Sequence, residues 1–191
     1  WGSLHEESLR LFEQYPFLAG MFIWQGIDYL GEPTPYEWPA RSSYFGVVGL
    51  AGFPKDPFYL YQSVWTDRPM VHLFPHWNWA PGDTIDVWAY TNAEQVELYL
   101  NGALQGVRRK EGKVGHVMWR VAYQPGTLRA VARTAGLETA SAVVRTAAAP
   151  ARIALAPDRA RIRADGEDLS FVTVTVRDRH GRPVGTPEPL V

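Results

Sequence analysis

The chain has 191 residues, enough for one large domain or two small ones around a buried core. Nineteen Lys and Arg nearly balance twenty Asp and Glu, so no global field argues for nucleic acid or anionic lipid as a partner. The formal charge of −1 points instead to uncharged ligands, and the absence of Cys excludes disulfides and thiolate metal sites without fixing a compartment. No apolar run reaches membrane-spanning length and no signal peptide is recognisable. A start at Trp1 rather than Met leads us to expect a fragment or processed product of a longer protein, so a missing signal says nothing about the parent. All eight Trp lie at or before Trp119, and Phe171 is the only aromatic after Tyr123. Aromatic and polar groups together are the usual lining of sugar sites, because a pyranose offers an apolar CH face and a rim of hydroxyls. Trp also fills cores.

Ser3 to Glu6 has capping-box spacing, and Leu4, Leu11, Phe12 and Tyr15 follow at roughly helical spacing. This predicts a helix ending near Tyr15, before Pro16. Ala19 to Ile27 is nearly continuous in apolar residues, so we expect a strand covered on both faces, as in α/β sheets and barrels. It runs into an acidic and aromatic cluster and then a Gly-, Pro- and aromatic-rich loop over 31–55, too long for a passive connection. Enzymes on such folds place their chemistry at the carboxyl ends of strands, which makes Gly20 to Tyr36 the leading candidate site. Asp56 and Pro57 read as N-cap and first helical position of a second helix. Phe58, Tyr61, Gln62 and Trp65 form one face of it, and Asp67 to Pro69 stops it. Helix, strand, long loop and helix look like the last part of a β/α barrel.

After Pro69 the period becomes strand-like. Val71 to Pro75, Thr84 to Tyr90, Val96 to Leu100, Ala103 to Arg109, His116 to Ala122, Thr127 to Arg133 and Leu137 to Thr146 make seven short strand candidates. Asn101-Gly102 is a type I′ hairpin signal, and Pro125-Gly126 and Ala135-Gly136 supply further turns. Seven strands in this space suggest an antiparallel sandwich of immunoglobulin type. Thr146 to Ala151 is a small-residue linker. Beyond it we expect three or four strands, Phe171 to Arg177 among them, as the truncated start of a third domain.

Several ordered motifs now carry a family resemblance: Phe22 to Pro35, Arg41 to Gly46, Leu50 to Asp56, Tyr59 to Trp65, Pro75 to Trp79 and Val96 to Gly102. Together they resemble the bacterial β-galactosidases of glycoside hydrolase family 2 over nearly the whole chain. The resemblance implies the end of a (β/α)8 catalytic TIM barrel over 1–68 and an Ig-like β-sandwich over 69–147. A partial bacterial Ig-like domain would follow over 148–191. It also implies a retaining mechanism with one glutamate as acid/base and one as nucleophile, placed about 5–5.5 Å apart. In this family these come from barrel strands four and seven, and the chain matches only strand eight. No catalytic residue is therefore expected here, and the fragment alone is expected to be inactive. A noncatalytic carbohydrate-binding or structural sandwich module is the alternative, as is a family 2 enzyme of another specificity, β-glucuronidase or β-mannosidase.

The expected substrate-binding residues are Trp24, Asp28 and Glu32. Trp24 sits where the family stacks a Trp on the pyranose; barrel-core packing is the other reading. Asp28 and Glu32 are expected to bond sugar hydroxyls or to organise the loop through Arg41, rather than to act as a catalytic pair. Tyr29, Tyr36, Trp38 and Tyr44 are open between pocket rim and the loop's own core. His76 to Trp79 is expected at the interface between barrel and sandwich. The five scattered His show no zinc spacing, and Gly20, Gly26 and Gly31 make no phosphate loop. Arg108 to Lys110 is expected to be a solvated hairpin flank. No metal or cofactor is expected. The expected partners are a β-galactoside and the upstream barrel and N-terminal domains of the same chain, with neither nucleic acid nor membrane. A periplasmic or extracellular setting is expected for the parent.

Overall fold

In the computed structural model, residues 4–185 are described. Helix α1 spans His5–Gln14, with Leu4 as N-cap and Glu6 and Glu7 at the positive end of its dipole. Ser3, expected to cap it, lies outside the described residues. The buried face differs from the expected one: Leu9 is inside, while Leu4, Leu11 and Tyr15 are exposed. Polar anchors set this orientation. His5 Nδ1 meets the Tyr61 hydroxyl at 2.8 Å and His116 Nδ1 meets Glu6 Oε1 at 2.7 Å, turning the His5, Glu6 and Leu9 stripe inward.

Helix α2 spans Asp56–Trp65, with Lys55 as N-cap and Pro57 in its first turn. Asp56 does not cap it; its carboxylate instead meets His72 Nε2 at 2.7 Å. Leu60, Tyr61 and Val64 are buried with Leu9, Tyr90 and Val114 in a small core that joins both helices to the β region. Of the face formed by Phe58, Tyr61, Gln62 and Trp65, only Tyr61 lies in it. Phe58, Gln62 and Trp65 line an apolar recess of about 330 Å³, shared with Ile23, Gly26 and Val47, and Trp65 is exposed.

The barrel strand is the main correction. Among the described residues no barrel forms, and Ala19 to Ile27 is no regular strand; its only bridge is a parallel one, Ile27 to Val48. A parallel strand needs hydrogen-bonding neighbours along its length, and no named strand pairs with this segment. It keeps a strand-like alternation nonetheless. Met21 and Ile23 pack on the small core, whereas Phe22 and Trp24 are 103% and 70% exposed.

The seven strands are β1 Val71–Phe74, β2 Thr84–Thr91, β3 Gln95–Leu100, β4 Ala103–Arg109, β5 His116–Ala122, β6 Thr127–Thr134 and β7 Leu137–Arg145. They form a three-stranded sheet, β1-β2-β5, and a four-stranded sheet, β4-β3-β6-β7, with antiparallel ladders throughout. Alternate residues of β2, β3, β5 and β6, from Val87 and Leu98 to Trp119 and Leu128, enter one core shared by both sheets. Asn101 and Gly102 both have positive φ, 50° and 85°, as a type I′ turn requires. The Asn101 carboxamide also accepts from Thr127 N and donates to the Pro125 carbonyl. It fills the place of a Gly126 side chain: a Cβ there would stand 1.9 Å from Asn101 Oδ1.

His76 to Trp79 closes the sandwich rather than an interface with a barrel. Trp77 is 1% exposed in the shared core and its indole donates to the Gln124 carbonyl, while Trp79 stacks on His76. A Trp at the end of two sheets seals the gap between them. The small-residue linker is stitched down as well: Thr146 Oγ1 donates to the Trp77 carbonyl, Ala147 N to Asn78 Oδ1 and Ala148 N to Asp178 Oδ2. Beyond it, β8 Pro150–Pro157 and β9 Val172–Asp178 form a two-stranded antiparallel ribbon, fewer named strands among the described residues than expected. Ile153 lies opposite Val176 and Leu155 opposite Val174, and all four are exposed. No described helix is long and apolar enough to cross a membrane.

Candidate functional site

The loop after Ile27 is held by Asp28. The Asp28 amide donates to the Val48 carbonyl at 2.9 Å, and its buried side chain accepts from Gly46 N at 2.8 Å through Oδ1. Lys55 Nζ lies 2.6 Å from Oδ2 and also donates to the Tyr44 carbonyl at 2.9 Å. One carboxylate thus joins three stretches of the loop. Both its oxygens are engaged within the protein, and the cation that organises it is Lys55, not the expected Arg41. The Arg41 guanidinium instead lies 4.3 Å above the Trp38 ring.

Tyr29 is the next fixed point. Its amide donates to Ser43 Oγ at 3.0 Å, and its carbonyl accepts from Ser43 N at 2.9 Å and Ser42 Oγ at 3.1 Å. Both serines are buried. Glu32 follows Gly31, and both have positive φ, 47° and 95°, with the Gly31 amide donating to the Arg41 carbonyl. This turn carries the Glu32 carboxylate back to accept from the Tyr29 hydroxyl. That bond pushes the Tyr29 pKa above its ordinary value, aided by desolvation and the Glu32 charge.

Trp24, Asp28 and Glu32 line one open concavity of about 630 Å³, together with Gln25, Ile27 and Tyr29. The structure therefore brings the three sequence-predicted residues to one place. Tyr36, Trp38 and Tyr44 do not line it; Tyr36 and Tyr44 contact each other edge to face at 4.9 Å. Sequence reasoning missed the parts played by Lys55, Gly46 and Ser43. A lone lysine before a helix carries no local signal of a partner so far back in the chain.

A second cleft, of about 640 Å³, separates the end of α2 from the sandwich edge and is lined by charges of both signs, among them Asp67, Glu94 and Lys113. Lys110 belongs to it and is not solvated as expected. Its ammonium donates to the Thr91 and Lys113 carbonyls, and burial pulls its pKa below the usual lysine range. Among the described residues no group of three or more His, Asp or Glu is placed to hold a metal.

With this geometry in view, the relatives can be read. A domain of unknown function, DUF4982, matches residues 82–140, which hold β2 to β6 and the start of β7. The β-galactosidase BoGH2A of Bacteroides ovatus is 57% identical over 182 residues, 95% of this chain and 21% of that protein. A putative β-glucuronidase of Formosa agariphila is 43% identical over 63% of this chain and 12% of its own length. Among solved structures, a β-glycosidase from Bacteroides vulgatus superposes with a TM-score of 0.87 at 37% identity, covering 93% of this chain and 23% of that one. A glycosyl hydrolase family 2 member from Bacteroides cellulosilyticus gives 0.84 at 30% identity, over 95% and 28%. The chain spans about a fifth of the length of the B. ovatus relative. Near-complete coverage of this chain at such identity, joined to the agreement in fold, shows that it belongs to glycoside hydrolase family 2.

Proposed function

We propose that this chain is part of a retaining β-galactosidase that hydrolyses terminal β-galactosides. In this reading residues 1–68 end its catalytic barrel, 69–147 form an Ig-like sandwich and 148–191 begin a further β domain. The observation that carries it is the one-sided exposure of the segment before the loop. Met21 and Ile23 are packed, but Phe22 and Trp24 are bare on the opposite side, beside a concavity that holds Asp28 and Glu32. A bare apolar face next to a polar, aromatic hollow is what an inner barrel strand offers when its neighbours are contributed from elsewhere.

Trp24 would then stack on the CH face of the sugar, and Glu32 would accept from its hydroxyls. Asp28 has a different task, since Gly46 and Lys55 occupy both its oxygens: it holds the loop beneath the sugar. The two catalytic glutamates come from sequence outside this chain. The galactoside preference follows the name of the B. ovatus relative.

The test compares this chain alone with the longer protein that contains it, using a chromogenic β-galactoside. The longer protein is expected to turn it over and release the β-anomer first, and this chain alone to give no turnover. Hydrolysis by the 191-residue chain would overturn the placement of the catalytic residues.

A further inference from the structure

We propose that His72 is a positioning residue, through which the sandwich holds the loop that carries the concavity. This rests on reading the concavity as a sugar site, and it deepens that reading by naming what fixes the loop from outside. His72 lies on β1, paired across the ladder with Tyr90 of β2. Its Nε2–H donates to Asp56 Oδ1 at 2.7 Å, since an ionised carboxylate can only accept. Its ring stacks on Tyr59, with centroids 3.7 Å apart and 10° between the planes, and on Phe74 at 5.3 Å. Asp56 and Tyr59 are one turn apart on α2, so both face β1 from the start of that helix. Imidazole suits the place because it joins a flat ring to a donor at its tip.

A continuous series of bonds leads from Asp56 to the concavity. Lys55, the residue before it, donates from its amide to the Val47 carbonyl at 2.9 Å, while its ammonium holds Asp28 Oδ2 and the Tyr44 carbonyl. Val47 N in turn donates to the Gln25 carbonyl and Val48 N to the Gly26 carbonyl, both at 3.0 Å. Gln25 follows Trp24 in the chain, and both line the concavity with Asp28. His72 therefore stands at the sandwich end of a series whose other end is the backbone beside Trp24. The second pair between helix and sandwich, Glu6 with His116, enters through α1, and among the described residues it bonds no part of the loop. The His72 and Asp56 side chains are 22% and 51% exposed, so their bond has the strength of a surface pair and its loss acts severalfold, not by orders of magnitude.

The experiment uses the longer protein that carries this chain, with His72→Phe, Asp56→Ala, the double variant and, for comparison, His116→Phe. His72→Phe keeps a flat ring against Tyr59 and Phe74 and removes the donor. The first readout is amide hydrogen exchange at Gly46 and Val47, whose bonds to Asp28 and Gln25 close the loop. His72→Phe is expected to speed it about threefold, with exchange at Val87 in the sandwich core unchanged. Unchanged exchange at Gly46 and Val47 overturns the tie. An equal rise in His116→Phe also overturns it, because that would mean a general loosening of the helices on the sandwich. The second readout is kinetic. His72→Phe is expected to raise KM for a chromogenic β-galactoside about threefold, with kcat nearly unchanged. The double variant is expected to match Asp56→Ala, because the donor acts only through that carboxylate. Additive losses overturn that route. A wild type without activity sinks the sugar-site reading and leaves the exchange at Gly46 and Val47 to decide the tie. An active wild type whose KM is the same in His72→Phe sinks this inference alone.

Discussion

Gly46 has no room for a side chain. A Cβ there would stand 2.4 Å from the Asp28 amide nitrogen and 2.7 Å from its Oδ1, and backbone cannot swing aside as the tip of a lysine can. Gly46→Ala is therefore expected to push the two loop stretches apart and cost about 1–3 kcal/mol, read from denaturant unfolding; an unchanged midpoint would contradict the clamp. Asp178 plays the same kind of part at the other end of the chain. It is buried, and its oxygens accept from the amides of Ala148, His180 and Arg182. Burial would raise its pKa, but these donors outweigh it and hold the carboxyl below its ordinary value. A depressed folded value means that the unfolded chain binds the proton first. The stabilisation is complete above roughly pH 4 and fades as the pH falls through the lower folded value. Hydrogen exchange at Ala148, His180 and Arg182, corrected for intrinsic rates, should show protection at pH 5 that weakens at pH 3. At this scale the grouping of Trp24, Asp28 and Glu32 around one concavity was legible because they fall within one short stretch at the end of an apolar run. Lys55 was not, since nothing local marks a partner reached only when the loop folds back.

Among the elements, the sandwich strands are the most predictable. Alternation of the kind seen in Ile85, Val87 and Ala89 leaves only one register that buries apolar residues, and a one-residue slip would expose all of them. The Asn101-Gly102 turn then fixes the β3–β4 pairing. Trp119 lies at the centre of that core, 2% exposed, with its indole donating to the Gly106 carbonyl. Trp119→Ala is expected to cost about 3–5 kcal/mol in thermal or denaturant unfolding, and a loss under 1 kcal/mol would show that the two sheets do not share this core. The helices were harder. Their lengths follow from sequence, but each turned a different face inward, because Glu6 to His116 and Asp56 to His72 are contacts with strands far along the chain. An apolar stripe read from spacing alone does not include such polar anchors.

At the scale of the molecule, apolar surface stays uncovered at several places among the described residues, Phe22 and Trp24 beside the concavity and the ribbon face of Ile153, Leu155 and Val174 among them. Surfaces of this kind mark places where protein meets protein. Replacing Ile153, Leu155 and Val174 with Thr is expected to lower binding of a hydrophobic dye while leaving the unfolding midpoint of the sandwich unchanged. A fall in that midpoint would show that the ribbon face is already packed. By itself the sequence determined the two helices, the seven sandwich strands, their turns and the cluster of candidate sugar-binding residues, because each depends on periodicity or turn chemistry within a few residues. Only the tertiary structure decided that Ala19 to Ile27 forms no regular strand here, that Asp28 serves the loop through Lys55 and Gly46, and that the Tyr29 hydroxyl donates to Glu32. Those outcomes depend on which neighbours are present in space, and a hydrogen-bonding group commits to whichever partner the folded chain brings within reach.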